Sequence, residues 1–431
     1  MTSRSPSLRN LKAPSPTLGP RLGLVLAALM LASACATAPT RPPVSIGSGQ
    51  PRVDPVTGEV IGPATSTDPS GFVRGDGGLT PAFMEGRDVK RAAVLLPFSH
   101  PNAQVRTEAE SMLAGIELAL FQNGGDNFLI MPLDTAASAS TAEARADQAI
   151  RDGADIILGP LFAAQVGPVK AAAQRKSVPV VAFSNDRTVA GGGAYLASVM
   201  PEEEVSRIMR YAADKGTRSF AFLGPDTAYG RQAEAAMRSE TAANGWTIIA
   251  SAFYDPAKSA SSEVSRIASA IKSQSGQVGL VLPERGTKLL SIAPLLVVNG
   301  VDPGSTRFLG TSLWDDSSVW REPALSGALY AAVDPDNLGT FRETYERIYG
   351  RKPTDLSAAA YDAASLAIRL AAEDNMKHGG VTDPEGFMGI NGLFRFRLDG
   401  TSQRGLAVKQ IGGSGATVVE DGLTRFPSTG S

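Results

Sequence analysis

The 431-residue chain contains one cysteine and two histidines. An internal disulfide is therefore excluded, as are cysteine-rich zinc sites and most histidine-based metal or acid–base arrangements. An excess of one charge is also lacking. Lys and Arg number 41 against 43 Asp and Glu, a formal net charge of -2, which offers no footing for a surface built to neutralise nucleic-acid phosphates. No G-x-S-x-G elbow precedes a matching His and acid, and no G-x-x-x-x-G-K-[ST] phosphate loop occurs. His100 and His378 are too far apart to be read as a pair and carry the plain reading of surface or satisfied side chains. Glu202-Glu203-Glu204 and Asp334-x-Asp336 are explained by a helix first turn and a Pro-containing crossing, and Gly191-Gly192-Gly193 by a turn. No enzyme activity, metal or cofactor is expected. With 43% hydrophobic and 19% charged residues, the chain is long enough to bury a large core over two or three domains.

What is present begins with an export signature. Arg4, Arg9, Lys12 and Arg21 precede an apolar run, Leu22 to Ala32, that is too short to span a bilayer and is closed by small residues. Residues 1–34 are thus expected to be a signal peptide. The sole cysteine, Cys35, follows directly in a pattern similar to a lipobox, with Ala32 where leucine is usual, and is expected to be acylated. Plain signal cleavage beside an incidental thiol is the alternative. Removing residues 1–34 leaves 397 residues and lowers the formal charge to -6. Residues 35–87 are rich in Pro, Gly, Ser and Thr, cannot bury enough surface to offset chain entropy, and read as a disordered tether. As flexible coil it would span roughly 40 Å, and about 165 Å fully extended. Ala36 after the cysteine favours the outer membrane of a Gram-negative bacterium by the lipoprotein sorting rule.

From residue 88 onward, continuous apolar runs alternate with amphipathic stretches. Ala92–Leu96, Phe128–Leu133, 155–158, Val178–Phe183, Phe220–Leu223, Thr247–Phe253, Val278–Leu282 and 307–309 read as strands. Between Gln104 and Phe121, the residues Val105, Ala109, Met112, Leu113, Ile116, Ala119 and Leu120 recur at three- and four-residue spacing, one face of a helix. Strands apolar throughout belong to parallel sheets covered by helices on both faces. The class expected is α/β, with two doubly wound parallel-sheet lobes. Late helices at 340–349 and 356–373 precede a hairpin-like end that pairs 393–397 with 406–411 around Leu398-Asp399-Gly400-Thr401.

In such sheets, the carboxyl ends of the strands open into a crevice lined by helix N-termini. The loops there carry Ser99 beside Phe98 and His100; Phe162 and Ala163; Ser184, Asn185 and Asp186; Tyr229 beside Asp226 and Thr227; Glu284 beside Arg285; and Trp314 and Asp315 beside Asp316. Together these supply hydroxyls, acids and aromatics for a zwitterion. Individually, Ser184, Asn185 and Asp226 also read as helix caps or turn residues, and Phe162 and Trp314 as fillers of apolar gaps.

The runs AAVLLPFSHP, AGIELALFQNGGD, DGADIILGPLF, VPVVAFSND, GPDTAYG and AAYDAASLAIRLA resemble, in order over about 88–412, the type I periplasmic binding proteins of the leucine-binding branch. Within that group the LLPFS opening and the ILGPLF and VVAFSND segments are most similar to the lipoproteins known as penicillin-binding-protein activators. The resemblance implies a Venus-flytrap body over 88–412 whose lobes are joined by a three-strand hinge. Lobe 1 would take about 88–200 and 334–388, lobe 2 about 201–333 and 389–412, with crossings near 199–203, 331–335 and 386–392 and a C-terminal tail at 413–431. It implies a non-enzymatic periplasmic lipoprotein, held at the outer membrane by its lipid alone, that activates a peptidoglycan synthase. The alternative is a leucine-type amino-acid receptor serving an ABC permease. Tyr229 matches the aromatic that closes over ligand in amino-acid-binding relatives. Where those relatives offer a hydroxyl to the ligand carboxylate this chain has Ala163 and Ala164, which implies weak binding of free amino acids.

Overall fold

The computed structural model describes residues 52–53, 60–61, 71–75, 77–333 and 338–427. The expected signal peptide, Cys35 and Asp334-x-Asp336 lie outside them. The chain divides into two compact units, residues 1–64 and 65–431. In the first, β1 (Arg52–Val53) pairs antiparallel with β2 (Val60–Ile61).

The second unit opens with a hairpin of β3 (Phe72–Gly75) and β4 (Gly78–Pro81). Here the structure corrects the tether expected over 35–87, because its last part is folded. Arg91, only 5% exposed, donates from Nε to the Leu79 carbonyl and from Nη2 to Thr80 Oγ1. Arg74 pairs with Asp152 at 2.6 Å. A segment poor in apolar residues is thus held by supplying acceptors to a buried cation.

A five-stranded parallel sheet follows, built from β5 (Lys90–Leu96), β6 (Phe128–Asp134), β7 (Ile156–Leu158), β8 (Val180–Ala182) and β9 (Ala194–Leu196) in the order β6-β5-β7-β8-β9. The pleat of β5 explains its unbroken apolar sequence. Ala92, Val94 and Leu96 enter the core shared with α1 (Ala103–Asn123), whereas Ala93 and Leu95 enter the core under α2 (Ala139–Arg151) and α3 (Ala163–Gln174). Caps set two of these helix starts: Asn102 accepts from the Gln104 amide and Ser138 from the Thr141 amide.

The chain passes through 197–200 into α4 (Pro201–Asp214), β10 (Ser219–Pro225), α5 (Ala228–Asn244), β11 (Thr247–Tyr254), α6 (Ser261–Lys272), β12 (Val278–Val281), α7 (Gly286–Val298), β13 (Thr306–Gly310), the short α8 (Ser317–Trp320) and β14 (Leu329–Ala332). These strands lie in the order β11-β10-β12-β13-β14. β10 repeats the logic of β5, with Phe220 and Phe222 packed toward α4 and α5 and Ala221 and Leu223 toward α6 and α7. Both sheets therefore have the doubly wound order in which the second strand lies outside the first. The two-lobed α/β fold expected from the sequence is the fold observed.

The C-terminal third differs from expectation in detail. Helices α9 (Leu338–Tyr349) and α10 (Asp355–Ala372) return to the first lobe, where Phe341, Tyr345 and Leu366 join the core of α1. After α11 (His378–Val381), the strands β15 (Phe387–Gly389), β16 (Gly392–Phe396) and β17 (Ser402–Arg404) form a small antiparallel sheet. The expected partner of 393–397 was 406–411; the observed partner is 402–404. Residues 389–404 also stay with lobe 1, so the last crossing falls after Arg404 rather than near 386–392. Burial decides this: Phe387, Phe394 and Phe396 enter the lobe-1 core, and Phe396 packs 5.7 Å from Tyr195. Gly400 permits the turn. Its φ is +81°, and a Cβ there would collide with the backbone of Gly191 and Ala194. Strands β18 (Ala407–Gly412) and β19 (Gly415–Glu420) then extend the second sheet, β18 antiparallel to β14. The expected tail at 413–431 thus contains a strand.

Candidate functional site

In each sheet the strand order reverses between its first and third strands, and there the carboxyl ends diverge into a crevice. In lobe 1 that point lies between β5 and β7. The His100 and Phe162 rings meet across it with centroids 5.5 Å apart. Beside them is a cavity of about 510 Å³ whose walls include Leu161, Phe162, Ala163, Phe183, Ser184, Asn185 and Asp186. Five of the residues singled out from sequence, Phe162, Ala163, Ser184, Asn185 and Asp186, thus come together on one wall. Their local roles differ. Ser184 Oγ accepts from the Asp186 amide, and Asp186 caps the turn at Thr188, so these two mainly shape the loop and Asn185 is the exposed member. Helix α3 starts at Ala163 without a side-chain cap.

Sequence reading missed Asn102, Glu108 and Leu356 of the same cavity. They come from the cap and early turns of α1 and from α10, which meet only in the fold. Burial pushes the Glu108 carboxyl above its ordinary range, although Thr354 donates a hydrogen bond to it. Ser99 is not on this wall. It is exposed, and its amide and hydroxyl both donate to Asp134.

The lobe-2 residues turn inward. Tyr229 Oη lies 3.3 Å from Glu204 Oε2 and 3.0 Å from Thr311 Oγ1, so its hydroxyl is engaged within the lobe. Trp314 is fully buried, and its Nε1 donates to the Glu284 carbonyl at 3.1 Å; it fills an apolar gap behind Gly310, where a Cβ would strike the indole. The Glu284 carboxylate accepts from Tyr254 Oη and from the Arg285 amide. Asp315 is held by Lys409 Nζ at 2.9 Å and Tyr330 Oη at 2.8 Å. The polar groups of all four are engaged inside the lobe. Each is satisfied by a neighbour that local sequence does not reveal.

Glu204 is the group that sequence reading passed over as one of three first-turn acids. It is 2% exposed, and its Oε1 accepts from the Ser312 amide at 2.6 Å. Burial pushes its carboxyl up to about 7, against the opposing hydrogen bonds from Ser312 and Tyr229. A signal for this exists in the sequence. Glu204 stands four and eight positions before Ile208 and Ala212, on the apolar stripe of α4 rather than on its solvent face. Among the described residues no group of three or more His, Cys, Asp or Glu side chains could hold a metal ion, and no helix is long and apolar enough to cross a membrane.

Two lobes, each with a crevice at the switch point of a parallel sheet, define a two-lobed binding protein. The chain belongs to the periplasmic binding protein family, whose model matches residues 91–391. Several solved structures share the fold. A branched-chain amino acid ABC transporter candidate from Rhodospirillum rubrum is 16% identical, over 77% of this chain and 100% of that one, with a TM-score of 0.68. An ABC transporter substrate-binding protein from Sphaerobacter thermophilus is 20% identical, over 79% and 98%, with a TM-score of 0.61. A substrate-binding protein from Desulfitobacterium hafniense in complex with Leu is 18% identical, over 77% and 100%, with a TM-score of 0.57. No curated protein matches the chain significantly in sequence.

Proposed function

We propose that this chain is a periplasmic solute-binding protein that holds a small amino-acid-like or carboxylate-bearing solute between its lobes and presents it to an ABC permease without transforming it. The observation that carries this reading is the cavity beside Phe162. Its size falls within the usual range for a small-molecule site, and its wall sets polar side chains such as Asn102, Asn185 and Ser198 among the apolar Leu161, Phe162 and Phe183. The substrate-binding roles of structurally similar proteins support it. Lobe closure over the solute would follow from a ligand that touches both lobes and so favours the closed arrangement. The test is thermal unfolding of the chain against a library of amino acids and small aromatic acids. A binder should raise the midpoint by several degrees with a saturable dependence on concentration, and Phe162→Ala should weaken that binder at least tenfold. A library without a single saturating member refutes the reading.

One observation favours a second reading, that of an outer-membrane lipoprotein activating a peptidoglycan synthase. Tyr229 is engaged internally, and α3 starts with Ala163 and Ala164 and no side-chain cap, so the hydroxyl that the resemblance to amino-acid receptors implies there is missing. Under that reading the purified chain raises the glycan-polymerising or crosslinking rate of a synthase, and an unchanged rate removes it.

A further inference from the structure

A second, smaller pocket of about 90 Å³ lies where the lobes join. Its walls include Val199 and Val333 from two of the crossings, Ser312 from lobe 2, and Ala359, Arg342 and Arg404 from lobe 1. Arg404 is the unusual member. It is 6% exposed, and its Nη2 donates to the carbonyl of Ala197, tying the first crossing to the last. Its Nε and Nη1 are buried and find no hydrogen-bond acceptor. Of the five guanidinium N–H groups, the three on those two atoms are therefore unclaimed.

The carboxylates nearby do not answer this need. Asp362, also buried, acts on the Arg404 charge through space, but it makes no hydrogen bond to the guanidinium and already accepts from the Ile390 amide and from the amide and Nδ2 of Asn391. Asp315 is neutralised by Lys409. Asp355 lines the pocket from the exposed first turn of α10. A buried guanidinium with open donors beside a small void calls for an acceptor, since desolvated N–H groups left unpaired are costly. A planar oxyanion matches the fork geometry of arginine, and the void has the volume of about three waters. Arg342 adds a second positive charge on the outer side.

We propose that this hinge pocket is an anion site that takes a carboxylate-sized oxyanion on Arg404. The occupant is either a free small carboxylate or the carboxylate end of a solute seated in the adjoining cleft. The two cavities adjoin, because Ser198 and Leu356 line the larger one and their chain neighbours Val199 and Asp355 line the smaller. The site goes beyond the solute-capture reading and stands on residues outside the Phe162 wall.

The test is thermal unfolding of the full chain in sodium formate and sodium acetate, with ionic strength held constant by sodium chloride, whose spherical anion lacks the paired oxygens that match the guanidinium fork. Both probes should raise the midpoint and saturate in the millimolar range. Ala359→Leu fills the pocket while keeping Arg404 and Asp362 and should abolish the response. Arg342→Gln, an exposed change, should shift half-saturation upward at least threefold. A linear, non-saturating dependence on either probe, or a saturating response that survives both variants, overturns the site. Displacement of a bound library solute by formate assigns the pocket to that solute's carboxylate, and simultaneous binding assigns it to a free anion. If formate saturates while no library solute binds, the anion site stands and the solute-capture reading falls.

Discussion

Replacing Glu204 by glutamine removes one titrating group from the interior of lobe 2 and leaves a side chain of the same shape. In the folded chain the Glu204 carboxyl titrates at about 7, against an ordinary value of 4.5, because burial penalises the charged form. The native state therefore holds a proton that the unfolded chain releases between these values. The stability this contributes is fully present below pH 4.5 and is lost as pH rises through about 7. At roughly 1.4 kcal/mol per unit, the displacement amounts to about 3.5 kcal/mol. The substituted amide would keep an acceptor for the Ser312 amide and place a donor toward Tyr229, reproducing the neutral acid. Urea midpoints of the parent and of Glu204→Gln, measured at half-unit steps from pH 4.5 to 8, isolate the effect, because every other titrating group cancels in the difference. The variant should gain on the parent steadily from pH 5 to 7 and level off near pH 8, about 3–3.5 kcal/mol above the difference at pH 4.5. A difference that stays flat across that range refutes the buried-acid reasoning.

Three further outcomes follow from the packing. Deleting residues 71–86 strips Arg91 of the acceptors supplied by Leu79 and Thr80 and should cost about 2–4 kcal/mol, read as a lowered urea midpoint; no change would return the hairpin to the tether. Gly400→Ala meets both a positive φ and a backbone collision and should cost at least about 1–3 kcal/mol, seen as a fall of several degrees in the calorimetric midpoint. Arg397→Gln breaks a partly exposed pair with Glu203 at 2.7 Å and should change stability by less than about 1 kcal/mol, so a larger loss in the same urea assay would mean that this inter-lobe contact is coupled to others.

Much of the fold was legible in the sequence. Runs such as Ala92–Leu96 and Phe220–Leu223 are apolar at every position because both pleat faces are covered by helices, and that condition is written locally. The helical stripe of α1 is legible for the same reason. Five of the residues singled out from sequence, Phe162, Ala163, Ser184, Asn185 and Asp186, share one cavity wall, since they lie within a few residues of the carboxyl ends of β7 and β8. Tyr229, Glu284, Trp314 and Asp315 follow strands too, but their partners Thr311, Tyr254, Tyr330 and Lys409 lie 15 to 94 residues away in sequence. No local pattern announces them.

The layers were thus written along the chain: which segments are buried on two faces, which helices cover them, and that two such assemblies follow one another. Which strands become neighbours and which polar groups meet emerged only on folding. Folding placed 402–404 rather than 406–411 beside 392–396, drew 415–420 onto the second sheet, brought Leu79 and Thr80 of β4 onto Arg91, and left Arg404 at the hinge with open donors. The physical reason is that periodicity records whether a side chain is buried, a property of one segment, whereas strand pairing and hydrogen-bond satisfaction belong to pairs of segments that the chain brings together from far apart.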